Sequence, residues 1–131
     1  MKKDLDSIIL TRQELKIMKV IWDRGSASVR DVRDSISKRK PTAYTTILTL
    51  MGILESKGAL VHTRSGRAYV YKPLLTRQQA TQNHVKDMLN RFFDGNPDRL
   101  IENVLQNEVK APEQMKAIEG LLESRRGNQV A

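Results

Sequence analysis

Apolar residues recur at helical spacing near the start of the chain and predict two short amphipathic helices. The first lies within residues 10–25, where Thr11 and Glu14 have the spacing of a capping box. Its apolar stripe consists of Leu15, Met18, Ile21 and Trp22. The second lies within residues 28–38, and its apolar stripe consists of Val29, Val32 and Ile36. Each stripe can bury one face of its helix against a shared core.

A third helix, predicted within residues 41–58, has two stripes of opposite character. Its apolar stripe consists of Ile47, Leu50, Met51 and Leu54. The other stripe lies roughly opposite and consists of Thr42, Thr45, Thr46 and Thr49. Threonine is a mediocre helix former, and a solvent-exposed helix face more often carries Lys and Glu. Small hydroxyl and methyl groups suit a helix that enters the major groove of DNA, although a threonine-rich solvent face without a partner is the alternative.

Residues 60–74 predict a β-hairpin with a basic turn. β-Branched and aromatic residues indicate strands at 60–63 and 68–71, and residues 64–67 indicate the turn between them. Three helices followed by such a hairpin are typical of a winged helix-turn-helix, in which the wing reaches DNA phosphates or the adjacent minor groove. Winged helices also bind proteins, so this pattern alone does not identify the partner.

The excess positive charge is confined to the first part of the chain. The net charge is +8, and residues 1–75 hold 15 Lys and Arg against 7 Asp and Glu, whereas residues 76–131 hold eight of each. This asymmetry favours a basic binding surface followed by a neutral interaction module, although a charge that only maintains solubility is the alternative. The basic residues predicted to bind DNA are Arg30, Lys38, Arg39, Lys40, Arg64 and Arg67.

Residues 76–131 predict three further amphipathic helices. The first begins at a capping box of Thr76 and Gln79, the second at Pro97 and the third at Pro112. Their apolar residues are Val85, Met88, Leu89, Phe92, Leu100, Ile101, Val104, Leu105, Met115, Ile118, Leu121 and Leu122. Three short helices have little mass for an independent core, so burial against a second copy of the chain is the favoured interpretation. Packing against the winged helix is the alternative.

The predicted fold is therefore mainly α with a small β-hairpin: a winged helix-turn-helix domain in residues 1–75, followed by a C-terminal helical dimerisation region in residues 76–131. The chain has no cysteine, which excludes disulfides, thiolate metal ligands and cysteine nucleophiles. It also lacks a phosphate-binding Gly loop and a Ser/His/Asp arrangement, and His62 and His84 are isolated in the sequence. We predict a protein that is not an enzyme and has no cofactor and no metal site.

The sequence also predicts the cellular location of the protein. No apolar run approaches the roughly 20 residues that span a bilayer, and the first residues lack the apolar core and cleavage site of a signal peptide. We therefore expect a cytoplasmic protein with no membrane binding of its own.

With these elements in order, the sequence resembles the penicillinase-repressor and methicillin-resistance-regulator family of bacterial winged-helix repressors. The resemblance covers nearly the whole chain and is found in 10-LTRQELKIMKVIW-22, 43-AYTTILTLMGILESKG-58, 67-RAYVYKP-73 and 99-RLIENVLQNE-108. It implies a homodimer that binds a palindromic operator on double-stranded DNA and blocks transcription. Thr46 and Thr49 fall where the family has threonines on the recognition helix, whereas Ile53 stands where many relatives have an arginine.

The resemblance also bears on how repression is lifted. The copper-responsive branch of the family ends in a cysteine-rich metal hook, which this chain lacks. In the antibiotic-responsive branch, a membrane sensor protease acting in trans triggers cleavage of the repressor after an asparagine in the tail. Asn103 stands at that position, with Val104 in place of the usual phenylalanine. Cleavage between Asn103 and Val104 is therefore a hypothesis.

The working mechanism places the threonine face in the major groove of a sequence rich in A·T pairs, where thymine methyls are available. Two other functions stay open. The chain could be a winged-helix module whose basic face binds an acidic protein, or an architectural DNA binder that is indifferent to sequence. The sequence does not specify the operator, the regulated genes or the inducing signal.

Overall fold

The computed structural model describes the backbone of residues 4–129 and the side chains of residues 4–127. Within this part, a short 3₁₀ turn precedes three helices, a two-stranded antiparallel sheet and three more helices. In chain order these are α1 (Arg12–Arg24), α2 (Val29–Ser37), α3 (Tyr44–Lys57), β1 (Leu60–Ser65), β2 (Ala68–Pro73), α4 (Arg77–Phe92), α5 (Pro97–Asn107) and α6 (Pro112–Gln129). The predicted fold class, mainly α with one hairpin, is confirmed.

Reciprocal capping boxes fix the starts of the first two helices. The Thr11 hydroxyl accepts a hydrogen bond from the Glu14 backbone N–H, and the Glu14 carboxylate accepts one from the Thr11 N–H. Ser28 and Asp31 make the same pair of bonds at the start of α2. The bond from the Ser28 backbone N–H stabilises the ionised form of Asp31 and lowers its pKa. These local signals were readable from the sequence because both partners lie within one turn.

The core of the winged helix lies between α1, α2, α3 and the base of the hairpin. Its buried apolar residues are Ile8, Leu10, Ile17, Met18, Ile21, Ala27, Val29, Val32, Ile47, Met51, Leu54, Ala59, Leu60, Tyr71, Leu75 and Ala80. In the predicted stripe on α1, Met18 and Ile21 are fully buried, and Leu15 and Trp22 are partly buried against the core. The prediction missed Ile17, which is also fully buried. The Trp22 indole N–H donates to the Leu75 carbonyl at 2.8 Å, which gives it a polar partner at the core edge.

The hairpin is longer than predicted, and its turn is shorter. Ser65 pairs with Ala68, so Gly66 and Arg67 alone form the turn, and Gly66 has a positive φ of 63°. A two-residue turn with positive φ matches the twist of antiparallel strands, which explains why pairing extends beyond the predicted strand ends. The Tyr71 backbone also pairs with Ala27, which attaches the base of the wing to the start of α2. Arg64 therefore lies on β1 and Arg67 in the turn.

The first turns of α4 pack with the winged helix. The predicted capping box of Thr76 and Gln79 is present. Asn83 is buried and donates hydrogen bonds to the carbonyls of Leu5 and Ile8. His84 Nε2 accepts a hydrogen bond from the Leu10 N–H, so this residue, isolated in the sequence, has a structural role.

The chain divides into two compact units within α4, between Lys86 and Asp87. The assignment of a DNA-binding domain to residues 1–75 and a dimerisation domain to residues 76–131 stays a prediction, and its outer limits lie outside the described residues. In the second unit, Pro97 occupies the first turn of α5, and Pro112 begins α6 as predicted. Within residues 4–129, no helix is both long enough and apolar enough to cross a bilayer.

Candidate nucleic-acid interface

The exposed face of α3 presents three threonines side by side. Ile47, Met51 and Leu54 are buried on one side of the helix, and the exposed residues on the other side are Thr45, Thr46, Thr49, Gly52, Ile53 and Ser56. On α4, the Thr81 hydroxyl bonds back to the Arg77 carbonyl. Within the described part of the chain, the hydroxyls of the three α3 threonines make no such bond. They can therefore donate to a ligand without breaking an internal contact.

Thr42 does not lie on this helix, so that prediction was wrong. Its backbone N–H donates to the Ser37 hydroxyl, and its own hydroxyl donates to the Lys40 carbonyl. The helix begins after the cap residue Ala43 instead. Threonine hydroxyls compete with helix formation by bonding to nearby backbone groups, and here that local bonding wins. A contact between Thr42 and DNA stays a prediction, now from the loop between α2 and α3.

The basic residues predicted to bind DNA are all exposed. They lie in three places, which are the start of α2, the loop from α2 to α3 and the wing, and they are Arg30, Lys38, Arg39, Lys40, Arg64 and Arg67. Among the residues that the structure describes, none of the six forms an ion pair, whereas Arg24, Arg33 and Lys57 each pair with a carboxylate. The six positive charges are not neutralised by a neighbouring carboxylate and remain available to an anionic partner.

A cleft of about 720 Å³ lies between the start of α2, the first turns of α3 and the wing. It is lined by Ser28, Val29, Arg30, Tyr44, Leu48, Ser65, Arg67, Ala68 and Tyr69. The lining includes two arginines and no carboxylate. Sequence reasoning missed Tyr44, Leu48 and Tyr69, which are exposed on this side. Tyr44 and Leu48 are four residues apart and outside the buried stripe, and this spacing could have revealed them.

A partly buried ion pair joins the far end of α3 to α1. Lys57 Nζ lies 2.6 Å from Glu14 Oε1 and also donates to the Ile9 carbonyl. Burial opposes ionisation of Glu14, but hydrogen bonds from Lys57 and Thr11 outweigh it, so the pKa of this carboxyl lies below its usual value. The pair connects the beginning of α1 to the end of α3.

The predicted dimerisation residues lie on α4, α5 and α6, and none of them is buried. Those that are partly buried are Leu89, Leu100, Leu105 and Ile118. The exposed ones are Val85, Met88, Phe92, Ile101, Val104, Met115, Leu121 and Leu122. Phe92 and Leu121 keep 70% and 71% of their accessible surface, which is unusual for large apolar side chains. Asn103 and Val104, the hypothetical cleavage pair, are both exposed on α5.

Three helices, a hairpin attached at its base and unpaired basic residues around an exposed helix define a winged helix-turn-helix protein. The Penicillinase repressor family matches residues 10–124. The chain therefore belongs to the penicillinase repressor family of transcriptional repressors, and the resemblance noted in the sequence is confirmed.

Individual relatives agree with this assignment. The chain is 33% identical over 110 residues to the penicillinase repressor of Bacillus licheniformis, an alignment that covers 84% of this chain and 86% of the relative. It is 21% identical over 113 residues to the methicillin resistance regulatory protein MecI of Staphylococcus aureus (strain N315), covering 86% and 92%. The solution structure of the DNA-binding domain of the repressor BlaI is 35% identical, with a TM-score of 0.51, and covers 59% of this chain and 92% of that domain.

Proposed function

We propose that this chain is a homodimeric transcriptional repressor that binds a palindromic operator through α3 and the wing. The observation that carries the proposal is the exposed face of Thr45, Thr46 and Thr49, surrounded by six basic residues without carboxylate partners. The names of its relatives, a penicillinase repressor and the DNA-binding domain of a repressor, support it. Binding to bacterial DNA would also place the protein in the cytoplasm.

In this mechanism, α3 enters the major groove. Thr46 and Thr49 lie on its exposed face with free hydroxyl and methyl groups, which can contact base edges and thymine methyls. The small residues Gly52 and Ser56 continue this face and allow close approach to the groove floor. Ile53 adds an exposed apolar side chain where an arginine would add a phosphate contact. We therefore infer a preference for A·T-rich half-sites.

The basic residues fix the position of the protein on the duplex. Lys38, Arg39 and Lys40 lie in the loop before α3, and Arg64 and Arg67 lie near the tip of the wing. Contacts on both sides of the helix suit the two phosphate backbones that border a major groove. Such contacts supply affinity that depends steeply on salt but carries little sequence information.

Dimerisation supplies the second α3 helix, which binds the second half-site of the operator. The exposed apolar residues of α4, α5 and α6 would be buried between two copies, which would place two α3 helices about one or two DNA turns apart. Linking two weak half-sites raises the affinity for the full operator without any new contact. Any process that separates the two copies would then lift repression.

Cleavage between Asn103 and Val104 by a sensor protease acting in trans is one such process. Both residues are exposed, but they lie in the middle of α5, where the Asn107 side chain donates to the Asn103 carbonyl. A protease would have to unwind α5 locally before cutting it, and the cut would remove helix and dimer contacts together. Co-expression with a candidate protease and inducer, followed by intact mass measurement, tests this step. An intact chain during derepression would refute it.

The function itself is tested by selecting binding sites from a randomised duplex library and titrating affinity against salt. We expect an inverted repeat bound by two protomers, with a steep loss of affinity as salt rises. Binding without any consensus would instead support an architectural DNA binder. Failure to bind DNA, together with binding to an acidic protein, would support an interaction module. Thr46→Ala protein, selected in parallel, should return a weaker consensus from the same library.

A further inference from the structure

A short polar link joins the end of α3 to the wing. Glu55 lies in the last turn of α3, and His62 lies two residues into β1. The Glu55 carboxylate oxygen Oε2 lies 2.6 Å from His62 Nδ1 and also accepts a hydrogen bond from the His62 backbone N–H at 3.2 Å. One carboxylate oxygen therefore holds both the side chain and the backbone of the same wing residue.

Aromatic packing extends this link toward the tip of the wing. The His62 ring lies 4.6 Å from the Tyr69 ring and 5.3 Å from the Tyr71 ring, measured between centroids. His62 pairs with Tyr71 across the hairpin, and Arg64 pairs with Tyr69. These four side chains alternate with their neighbours along the strands and so share one face of the hairpin. Arg64 is thus carried on the same face that Glu55 anchors.

The outer part of the wing has little else to hold it. Leu60 and Tyr71 are buried at its base, but every residue from Thr63 to Tyr69 is exposed. An isolated two-stranded hairpin is marginally stable in water, so its direction depends on contacts with the rest of the domain. Among the side-chain hydrogen bonds of the described residues, only those between Glu55 and His62 join α3 to the hairpin.

We propose that Glu55 and His62 form a brace that holds the wing at the angle where Arg64 and Arg67 reach DNA while α3 occupies the major groove. Both are positioning residues in this scheme, since they act through the wing arginines and not through their own contact with DNA. The inference rests on the proposed function as a DNA-binding repressor. The brace itself, however, is a property of the free protein and can be measured without DNA.

The test in the free protein is amide hydrogen exchange. His62→Leu removes the side-chain donor, whereas His62→Asn keeps a nitrogen donor close to the position of Nδ1. We expect His62→Leu to speed exchange at residues 64–69 without changing α1, and His62→Asn to restore most of the protection. Thr63→Leu, on the opposite face of β1, is the matched control. Unchanged exchange in His62→Leu would overturn the brace.

The test with DNA is a double-mutant cycle. In the otherwise unchanged protein, His62→Leu should weaken binding to the selected operator about fivefold and reduce the salt slope by about one to two. In a background with Arg64→Ala and Arg67→Ala, the same change should have no further effect. Equal weakening in both backgrounds would overturn the positioning role, because it would show that the brace does not act through the wing arginines.

These two measurements separate the inference from the function on which it rests. If the unchanged protein binds no DNA although His62→Leu speeds exchange in the wing, the repressor proposal fails and the brace stands as a feature of the fold. If the unchanged protein binds its operator and His62→Leu binds equally well, the repressor proposal stands and the positioning role is overturned. Melting temperatures measured for all variants identify any general loss of folding.

Discussion

The winged helix and the C-terminal helices follow the same rules of sequence but differ in burial. In the first unit, fully enclosed side chains such as Ile17, Met51 and Leu54 form a continuous core. In residues 87–127 no side chain is buried, although the helices there also carry apolar residues at helical spacing. Amphipathic periodicity therefore predicts a helix and its apolar face, but it does not tell whether the covering surface belongs to the same chain.

The largest contrast should appear when one leucine is truncated in each unit. Leu54→Ala empties a fully buried site and should lower the free energy of unfolding by about 2–5 kcal/mol. Leu121→Ala removes a side chain that is 71% exposed and should cost little in a monomer. Denaturant unfolding at several protein concentrations checks both changes. If the effect of Leu121→Ala does not grow with protein concentration, this residue is not at a dimer interface.

The second-largest effect should come from a charge on the exposed face of α4, which should disrupt the proposed dimer. Phe92→Asp places a carboxylate on a face that the dimer would bury, and we expect monomers in sedimentation. Affinity for a full operator should fall roughly 10²-fold, while affinity for a half-site stays unchanged, because only avidity is affected. Asn90→Asp adds the same charge on the opposite side of α4 and is the control. A Phe92→Asp protein that remains dimeric would contradict the assigned face.

Capping patterns within one turn predicted the helix starts, whereas contacts that form only when a loop folds or two elements pack could not be predicted from the sequence. The capping boxes at Thr11 and Ser28 were predictable because each spans three residues. Thr42 was misplaced because its partners, the Ser37 hydroxyl and the Lys40 carbonyl, meet it only in the folded loop. The brace between Glu55 and the wing was likewise invisible, since it depends on how a helix and a strand pack.

The candidate interface was predictable in its charge and less so in its shape. The six basic residues and the three α3 threonines are exposed as expected. The apolar part of the cleft, with Tyr44, Leu48 and Tyr69, was missed because exposed aromatic and aliphatic residues look like core residues in a sequence. The spacing of Tyr44 and Leu48 marks a second apolar face on α3, but only the fold shows that this face lines the cleft.

Within the first unit, changes to the threonine face should alter DNA binding without disturbing the core beneath it. Thr46→Ala should weaken binding to the selected operator by roughly 1–3 kcal/mol and leave binding to unrelated DNA nearly unchanged, because it removes a base contact. Titrations on both duplexes measure the difference. Thr81→Ala, on α4, removes a hydroxyl that bonds only to the Arg77 carbonyl and should leave both affinities intact. Equal weakening on both duplexes for Thr46→Ala would assign it a phosphate contact instead.

The pair that anchors α3 should make the stability of the winged helix depend on pH. The pKa of Glu14 is lowered in the folded state, so its contribution is fully present above the unfolded value of about 4.5 and is lost as pH falls through the folded pKa. Glu14→Gln should reduce stability by about 1–2 kcal/mol at neutral pH and approach the unchanged protein in acid. Chemical denaturation from pH 7 down to pH 3 checks this. A constant difference across that range would rule out the charge as the cause.

The smallest effect should come from removing single surface charges. Such changes compare the contribution of one arginine in each unit to DNA affinity and its salt dependence. Arg39 is exposed and unpaired among the described residues, whereas Arg99, in the second unit, lies 3.9 Å from Asp94. Arg39→Gln should weaken binding to every duplex by less than about 1 kcal/mol and reduce the salt slope by about one, because each neutralised phosphate adds about one to that slope. Arg99→Gln, the matched change, should alter neither quantity. Equal salt dependence of DNA binding in the two variants would mean that Arg39 does not contact a phosphate. The basic residues of the first unit would then act only through their long-range electrostatic field.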